Sequence, residues 1–474
     1  MKGEENNLKT AKIDKYTKEI LAELKETQQT VVINPSQDFY INSMVYTFVH
    51  NDIYYLVNSD KKIVKYDDFE DMGIKLRNGN IPAMCNLRAV TAVDFIKGIR
   101  KVSLYQCFDK INTHMKKYIV FEDDRIFPIL ALWVIGTYFY KIFRYYPYIW
   151  LNADKGSGKS RVMEVIVPLA FNAVMAVNHS EASVFRLVDV DGATLLIDEF
   201  EKLKKDNQQG IMTLLNSGFN AEATVIRNER RGDSFKPVAF SSYSPKMFAG
   251  IDDISDVLMD RCIRIKMFKK PKGIEVQRYK IDNETDKFLK DLRDDLYICG
   301  LQYANPIKET YDSNIIELPF ELSDREKDIW EVLYSLAQFI DNESNTNLEE
   351  EIKQFSIESS KERSKANIEK NDSYKLISIL IDIIPTLQPV KIDGNTMFYD
   401  SDKVFNKFKG TEEFSWLKSK NYLTTMLNNK FHISCERATI NGKKTRMYCI
   451  SNNQLKELVD RYNLNEVIDL ANIS

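Results

Sequence analysis

The sequence predicts an α/β protein built on a parallel sheet, with an accessory α/β segment before it and a small α/β unit after it. Two observations carry this. Between residues 126 and 197, short apolar strands alternate with helical stretches, the pattern that sets helices on both faces of a parallel sheet. Within that stretch an apolar strand, Tyr148–Leu151, runs into a glycine-containing loop and then into a helical pattern.

Residues 1–120 read as an N-terminal accessory or oligomerisation domain. Ala11–Leu24 has helical periodicity; Thr30–Ile33, Phe39–Ile41, Met44–Val49 and Ile53–Val57 look like strands, with Asn51–Asp52 a turn. Residues 121–275 read as the core. Ile126–Phe143 reads as an apolar helix; the most apolar run, Ile126–Tyr140, is broken by Pro128 and falls short of the roughly 20 residues that span a bilayer, so a buried helix and no membrane contact are expected. Ser160–Phe171 and Glu181–Val188 read as helices. Val174–Val177 and Thr194–Ile197 read as strands, the latter apolar enough to be buried on both faces. Gln208–Ser217 looks helical, Thr224–Ile226 and Pro237–Phe240 look like strands around a charged turn, and Ile263–Met267 is a further strand. Residues 276–340 form a helical lid through Asn283–Asn305 and Ser323–Phe339. Residues 341–372 are polar and charge-rich, either a linker or an exposed helix. Residues 373–474 form the last unit.

The chain has 474 residues, too many for one ordinary core. Its net charge of -3, from 66 basic and 69 acidic side chains, leaves nucleic-acid binding to be decided by local patches. The six cysteines stand singly and only four histidines occur, which argues against a zinc site and for reduced thiols in a cytoplasmic protein. Met1–Thr10 is polar and carries no signal-peptide pattern.

The central motif is Ala153-Asp-Lys-Gly-Ser-Gly-Lys-Ser160, which fits the phosphate-loop form GxxxxGK[ST] except that Ala153 replaces its first glycine. Gly156 and Gly158 let backbone amides approach phosphates, and the following helix N-terminus adds positive potential. The loop residues Asp154, Lys155, Gly156, Ser157, Gly158, Lys159, Ser160 and Arg161 would therefore bind ATP. Lys159 would meet the β- and γ-phosphates and Ser160 would reach Mg²⁺. The second motif, Thr194-Leu-Leu-Ile-Asp198-Glu199, delivers two acids at a strand end 39 residues beyond Lys159. Asp198 would hold the Mg²⁺ shell, and Glu199 would orient or deprotonate the attacking water. The third, Leu258-Met-Asp-Arg261, sets an arginine before a strand, where it could reach a neighbouring subunit's γ-phosphate.

This ordered set resembles the AAA+ ATPases. It is most similar to the replicative helicases of phages, plasmids and genomic islands, themselves similar to minichromosome maintenance and superfamily 3 helicases. The likeness spans about Tyr145–Met267. It implies that Lys159 and Ser160 are the Walker A pair, Asp198 and Glu199 Walker B, and Arg261 an arginine finger acting in trans. It also implies a homo-oligomeric ring, a hexamer, acting on DNA in the replication of a mobile element. Sensor 1 is expected after the strand Pro237–Phe240, where the sequence offers Ser242 or Ser244 in place of the usual Asn. Arg325 fits a lid sensor or a surface arginine. An AAA+ ATPase that loads or remodels protein partners, or an ATP-gated DNA-binding switch, remains the alternative.

Arg227, Arg230, Arg231 and Lys236 cluster around the predicted hairpin. In the helicases that this chain resembles, such a hairpin enters the ring's pore, where basic side chains would contact single-stranded DNA through its phosphates. In the last unit Lys375–Ile383, Ser401–Phe408 and Ser415–Asn429 read as helices, the third with Trp416, Leu417, Leu423 and Leu427 on apolar positions. Ile433–Ala438 and Thr445–Ile450 read as strands flanking the turn Asn441-Gly442-Lys443-Lys444. Three helices and a wing resemble a winged helix, which would bind duplex DNA with Lys443 and Lys444 at the wing tip.

Overall fold

Five short segments build the central sheet: β1 (Tyr148–Ala153), β2 (Val174–Met175), β3 (Leu195–Ile197), β4 (Lys246–Gly250) and β5 (Cys262–Met267). All pairings are parallel, and the spatial order is β5-β1-β4-β3-β2. Ile149, Trp150 and Leu151 of β1 and Leu195 and Leu196 of β3 have no exposed surface. Helices cover both faces of such a sheet, so its strands read as unbroken apolar runs. Each fully buried aliphatic side chain here contributes about 1.5–3 kcal/mol of transfer free energy.

The computed structural model describes residues 31–462 and 464, except 70, 80, 176–179, 206–208, 232–233, 252–253, 272, 314, 371 and 441–442. The expected helix Ala11–Leu24 and the Asn441–Gly442 turn lie outside the described residues. The chain divides into two compact units, Met1–Phe355 and Ser356–Ser474. The division falls within the helix Leu348–Lys370, so the polar stretch is helical over most of its length.

In the first unit an antiparallel sheet of Gln37–Tyr40, Ser43–His50, Ile53–Asn58 and Ile63–Lys65 precedes the central sheet. Asn51 and Asp52 both have positive φ, the conformation a tight hairpin turn needs. Met44, Tyr46 and Phe48 share one buried cluster with β1 and β3. The Tyr46 hydroxyl, bonded to the Tyr138 carbonyl, lies where a Cβ on Gly300 would stand, so the helix Asn283–Asp312 can pass only with glycine there.

The apolar run at 126 is helical only to Gly136; a 3-10 turn follows at Tyr140–Ile142. All eleven residues of Ile126–Gly136 are buried. Among the described residues no helix is long and apolar enough to cross a membrane. The helix after the loop also ends early, spanning Lys159–Ile166 rather than reaching Phe171.

The second unit has helices Asp372–Ile383, Ser401–Lys409, Lys420–Phe431 and Asn452–Arg461. They pack on an antiparallel sheet ordered Lys391–Asp393, Thr396–Asp400, Lys443–Ser451, Ser434–Ile440. Leu376, Leu380, Phe408, Leu423, Leu427 and Phe431 share its core. The third helix starts at Lys420, not Ser415, because Ser419 accepts the Tyr422 amide as its N-cap. Trp416 consequently falls before the helix and is 49% exposed, not on a buried helical face.

Candidate active site

β1 and β3 both end at the same edge of the sheet, with β4 between them. After Ala153 the chain turns through 154–158 into the helix Lys159–Ile166. Gly156 and Gly158 take φ values of +83° and +93°. No heavy atom lies within 4 Å of a Cβ built on Gly156, so backbone conformation, not crowding, demands glycine there. The Ser157 amide and hydroxyl both donate to the Asp154 carbonyl, at 3.3 and 2.7 Å, which closes the turn.

The two motifs meet directly. Ser160 Oγ donates to Asp198 Oδ2 at 2.5 Å, and Asp198 Oδ1 accepts the Glu199 amide at 2.8 Å. Glu199 holds φ at +53°, a left-handed conformation that costs a non-glycine residue about 1–3 kcal/mol and collects at functional sites. Its exposed side chain pairs with Lys202. That hydrogen bond and charge, with smaller contributions from Lys159 and Lys155, hold the Glu199 carboxyl below the usual carboxylate range. The loop's cations therefore act on Glu199, just past the end of β3. Arg161, one turn on, pairs with Glu164 at 3.0 Å.

Glu201, which the sequence reading passed over, brings a third carboxylate to this edge. Its Oε2 is buried without a hydrogen-bond partner and lies 2.8 Å from where a Gly250 Cβ would stand. The Ser160 hydroxyl and the Asp198 carboxylate that it bonds are a pair of hard oxygen donors, which suits Mg²⁺. The charge-rich run that opens the helix Phe200–Lys205 was the available signal.

Arg261 lies at the opposite edge. Its carbonyl accepts the Tyr148 amide at 2.9 Å, at the start of β1, whereas Met267 pairs with Ala153 at the end. Five strand steps at ~3.3 Å each put it about 17 Å from its own loop. Its guanidinium bonds the Val257 carbonyl, and burial, with Arg325 nearby, lowers its affinity for a proton. Arg325 stacks over Tyr145 and Phe219 at that same edge, with its carbon 5.8 and 5.5 Å from the ring centroids.

The sensor expectation needs correction. Pro237–Phe240 belongs to Ser234–Ser241, one arm of a two-stranded hairpin with Thr224–Arg231, and not to the central sheet. The strand between the two motif strands is β4. Ser242 and Ser244 sit before β4, at the edge away from the loop 154–158. Ser242 accepts from the Ser217 hydroxyl at 2.9 Å, and Ser244 accepts from Lys246 Nζ at 3.2 Å.

The hairpin separates its arginines. Arg227 pairs with Glu181 at 2.8 Å and lies over the Phe185 ring at 4.4 Å, so it anchors the hairpin base rather than facing solvent. Arg230 and Lys236 are exposed further out; Arg231 occupies the strand end, its side chain outside the description. Lys443 opens the strand after the second unit's turn, its side chain likewise undescribed, and Lys444 is exposed.

No protein-family profile matches this chain, and no curated protein matches it. Solved structures similar to it include the apo A form of the NrS-1 C-terminal region, at 11% identity and a TM-score of 0.36 over 85% of this chain and 96% of that one. The JCV helicase with a bound thiazolopyridinyl-phenoxyphenyl acetamide is similar at 14% identity and a TM-score of 0.24, over 53% and 64% of the two chains.

Proposed function

We propose that this chain is an ATP-driven DNA helicase or translocase of AAA+ type, working as a ring, a hexamer, in the cytoplasm in replication of a mobile element. The observation that carries the reading is the Ser160–Asp198 hydrogen bond, which joins a phosphate loop to an acidic strand end at one edge of a parallel sheet. In the proposed mechanism the amides of 154–160 and Lys159 bind the triphosphate, with Arg161 flanking the helix start. Ser160 and Asp198 would hold Mg²⁺, which would supply neutralising charge to the triphosphate. Glu199 orients the attacking water. Lys202, whose pairing lowers the proton affinity of the Glu199 carboxyl, must move aside for Glu199 to act.

Arg261 serves the neighbouring subunit's site, since its own loop is out of reach; each site is then complete only across a subunit boundary. The division of labour follows the same reading: 1–120 accessory, 121–275 ATPase core, 276–340 lid, 341–372 connection and 373–474 a winged helix that binds duplex DNA. Supporting the last, the Lys420–Phe431 helix packs beside a hairpin carrying Arg437, Lys444 and Arg446, and Arg446 bonds Asn421 of that helix at 2.7 Å.

The test is phosphate release by the full-length protein with and without single-stranded DNA, alongside native mass measurement and strand displacement on a forked duplex. The reading expects DNA-stimulated multiple turnover, a multimeric ring and displacement. Turnover that ignores DNA, or a monomer at working concentration, would overturn it.

A further inference from the structure

The Thr224–Arg231/Ser234–Ser241 hairpin presents two unlike faces. Its register sets Arg227 opposite Val238 and Val225 opposite Phe240. These pairs form the inner face: Val238 and Phe240 are buried, and Phe240 meets Phe185 edge-on at 6.0 Å. The outer face carries Ile226 opposite Ala239, Asn228 opposite Pro237 and Arg230 opposite Phe235. All six residues are exposed, Phe235 at 71% and Ile226 at 70%. A strand pair that merely connected two elements would gain nothing from an aromatic ring held in water.

The base is fixed while the outer half projects. Ser241 donates its amide to the buried Asp189 carboxylate at 2.7 Å. Lys246 Nζ, fully buried at the start of β4, donates to the carbonyls of Ser242 and Ser244 at 2.9 Å each. From the Arg227 anchor to Arg231 the arm extends roughly 13 Å, at ~3.3 Å per residue. The ring of Phe235 therefore stands well beyond the anchored base, beside a guanidinium, on a strand pair tied to the sheet that carries both nucleotide motifs.

We infer that Phe235 is a stacking platform for the bases of single-stranded DNA, with Arg230 beside it taking a phosphate or the edge of the stacked base. A base offers a flat π-face whatever its identity, and aromatic stacking with flanking cations is the chemistry that grips a strand without reading its sequence. The phosphates match the charge of Arg230, which stands directly opposite Phe235 on the same face and which a purely apolar partner would leave uncompensated. The inference rests on the reading that this hairpin faces DNA, and it adds contact with the bases to contact with phosphates.

The experiment titrates a labelled single-stranded oligonucleotide and a fully abasic strand of equal length with the full-length protein. Wild type is compared with Phe235→Ala, Phe235→Tyr and Arg230→Ala. Wild type is expected to prefer the base-bearing strand. Phe235→Ala should lose on the order of 5- to 100-fold in affinity for that strand and nothing for the abasic one. Phe235→Tyr should restore the preference. Arg230→Ala should weaken both strands and lower the salt dependence. Equal loss on both strands, or none, would overturn the stacking role while leaving a phosphate-binding hairpin intact. A change of assembly mass in Phe235→Ala with unaltered strand preference would give the ring to a second copy of this chain instead. Failure of wild type to bind either strand would remove both this inference and the DNA reading beneath it.

Discussion

Ser160 and Asp198, 38 residues apart in sequence, share a 2.5 Å hydrogen bond from hydroxyl to carboxylate at the open edge of the central sheet. Neither residue is held there by its own motif alone. The hydroxyl is set by the helix that follows two left-handed glycines, and the carboxylate by the end of a fully buried strand. β4 lies between their strands, so the contact is made across it.

Glu199→Gln is expected to keep ATP binding and lose hydrolysis by about 10²–10⁴-fold, because the amide cannot take up a proton or hold the water in the same way. The Glu199–Lys202 pair is exposed, so its loss leaves the melting temperature nearly unchanged. Retention of radiolabelled ATP alongside single-turnover rates measures this. Weakened binding would assign Glu199 to the cradle instead.

Arg261→Ala is expected to reduce turnover by ~10³–10⁵-fold while sparing nucleotide affinity. Its position at the start of β5, about 17 Å from its own loop, predicts complementation in trans. Mixing inactive Arg261→Ala with inactive Lys159→Ala should recover part of the activity. No recovery in rings shown by mass to contain both variants would refute the trans role.

The legible part of the site was the part written locally. Gly156, Gly158, Lys159 and Ser160 are adjacent, and Asp198 and Glu199 end an apolar run, so backbone chemistry and strand polarity announce them. Arg227 and Arg230 look alike in sequence; only the hairpin register and Glu181, 46 residues away, make one an anchor and leave the other exposed. β4 was overlooked because a strand opening with Lys246 and closing with Gly250 carries weak strand signal. Its lysine is tolerable in the interior because the carbonyls of Gly218, Ser242 and Ser244 accept hydrogen bonds from its Nζ. Pro237–Phe240 carried the stronger apolar pattern and was mistaken for it. Phe235, in turn, reads as ordinary strand packing until its exposure is known.

Glu331, half-buried on the helix Asp324–Ser344, has its carboxyl pushed up to about 7, by burial first and by Asp328 second. The folded chain keeps this proton where the unfolded chain has released it. The group therefore disfavours folding increasingly as pH rises from the ordinary glutamate range to about 7, and fully above that. Glu331→Gln removes the penalty. Its melting temperature relative to wild type should rise with pH through that window and level off beyond it; a pH-independent difference would contradict the assignment.

The most direct measurement is steady-state phosphate release from ATP by the full-length protein, in Mg²⁺ and in excess chelator, beside Lys159→Ala. A cradle closed by Lys159 and joined to Asp198 through Ser160 predicts turnover that needs Mg²⁺ and falls about 100-fold or more in the variant. Equal turnover in the two proteins, or none from wild type with Mg²⁺ and DNA present, would contradict it.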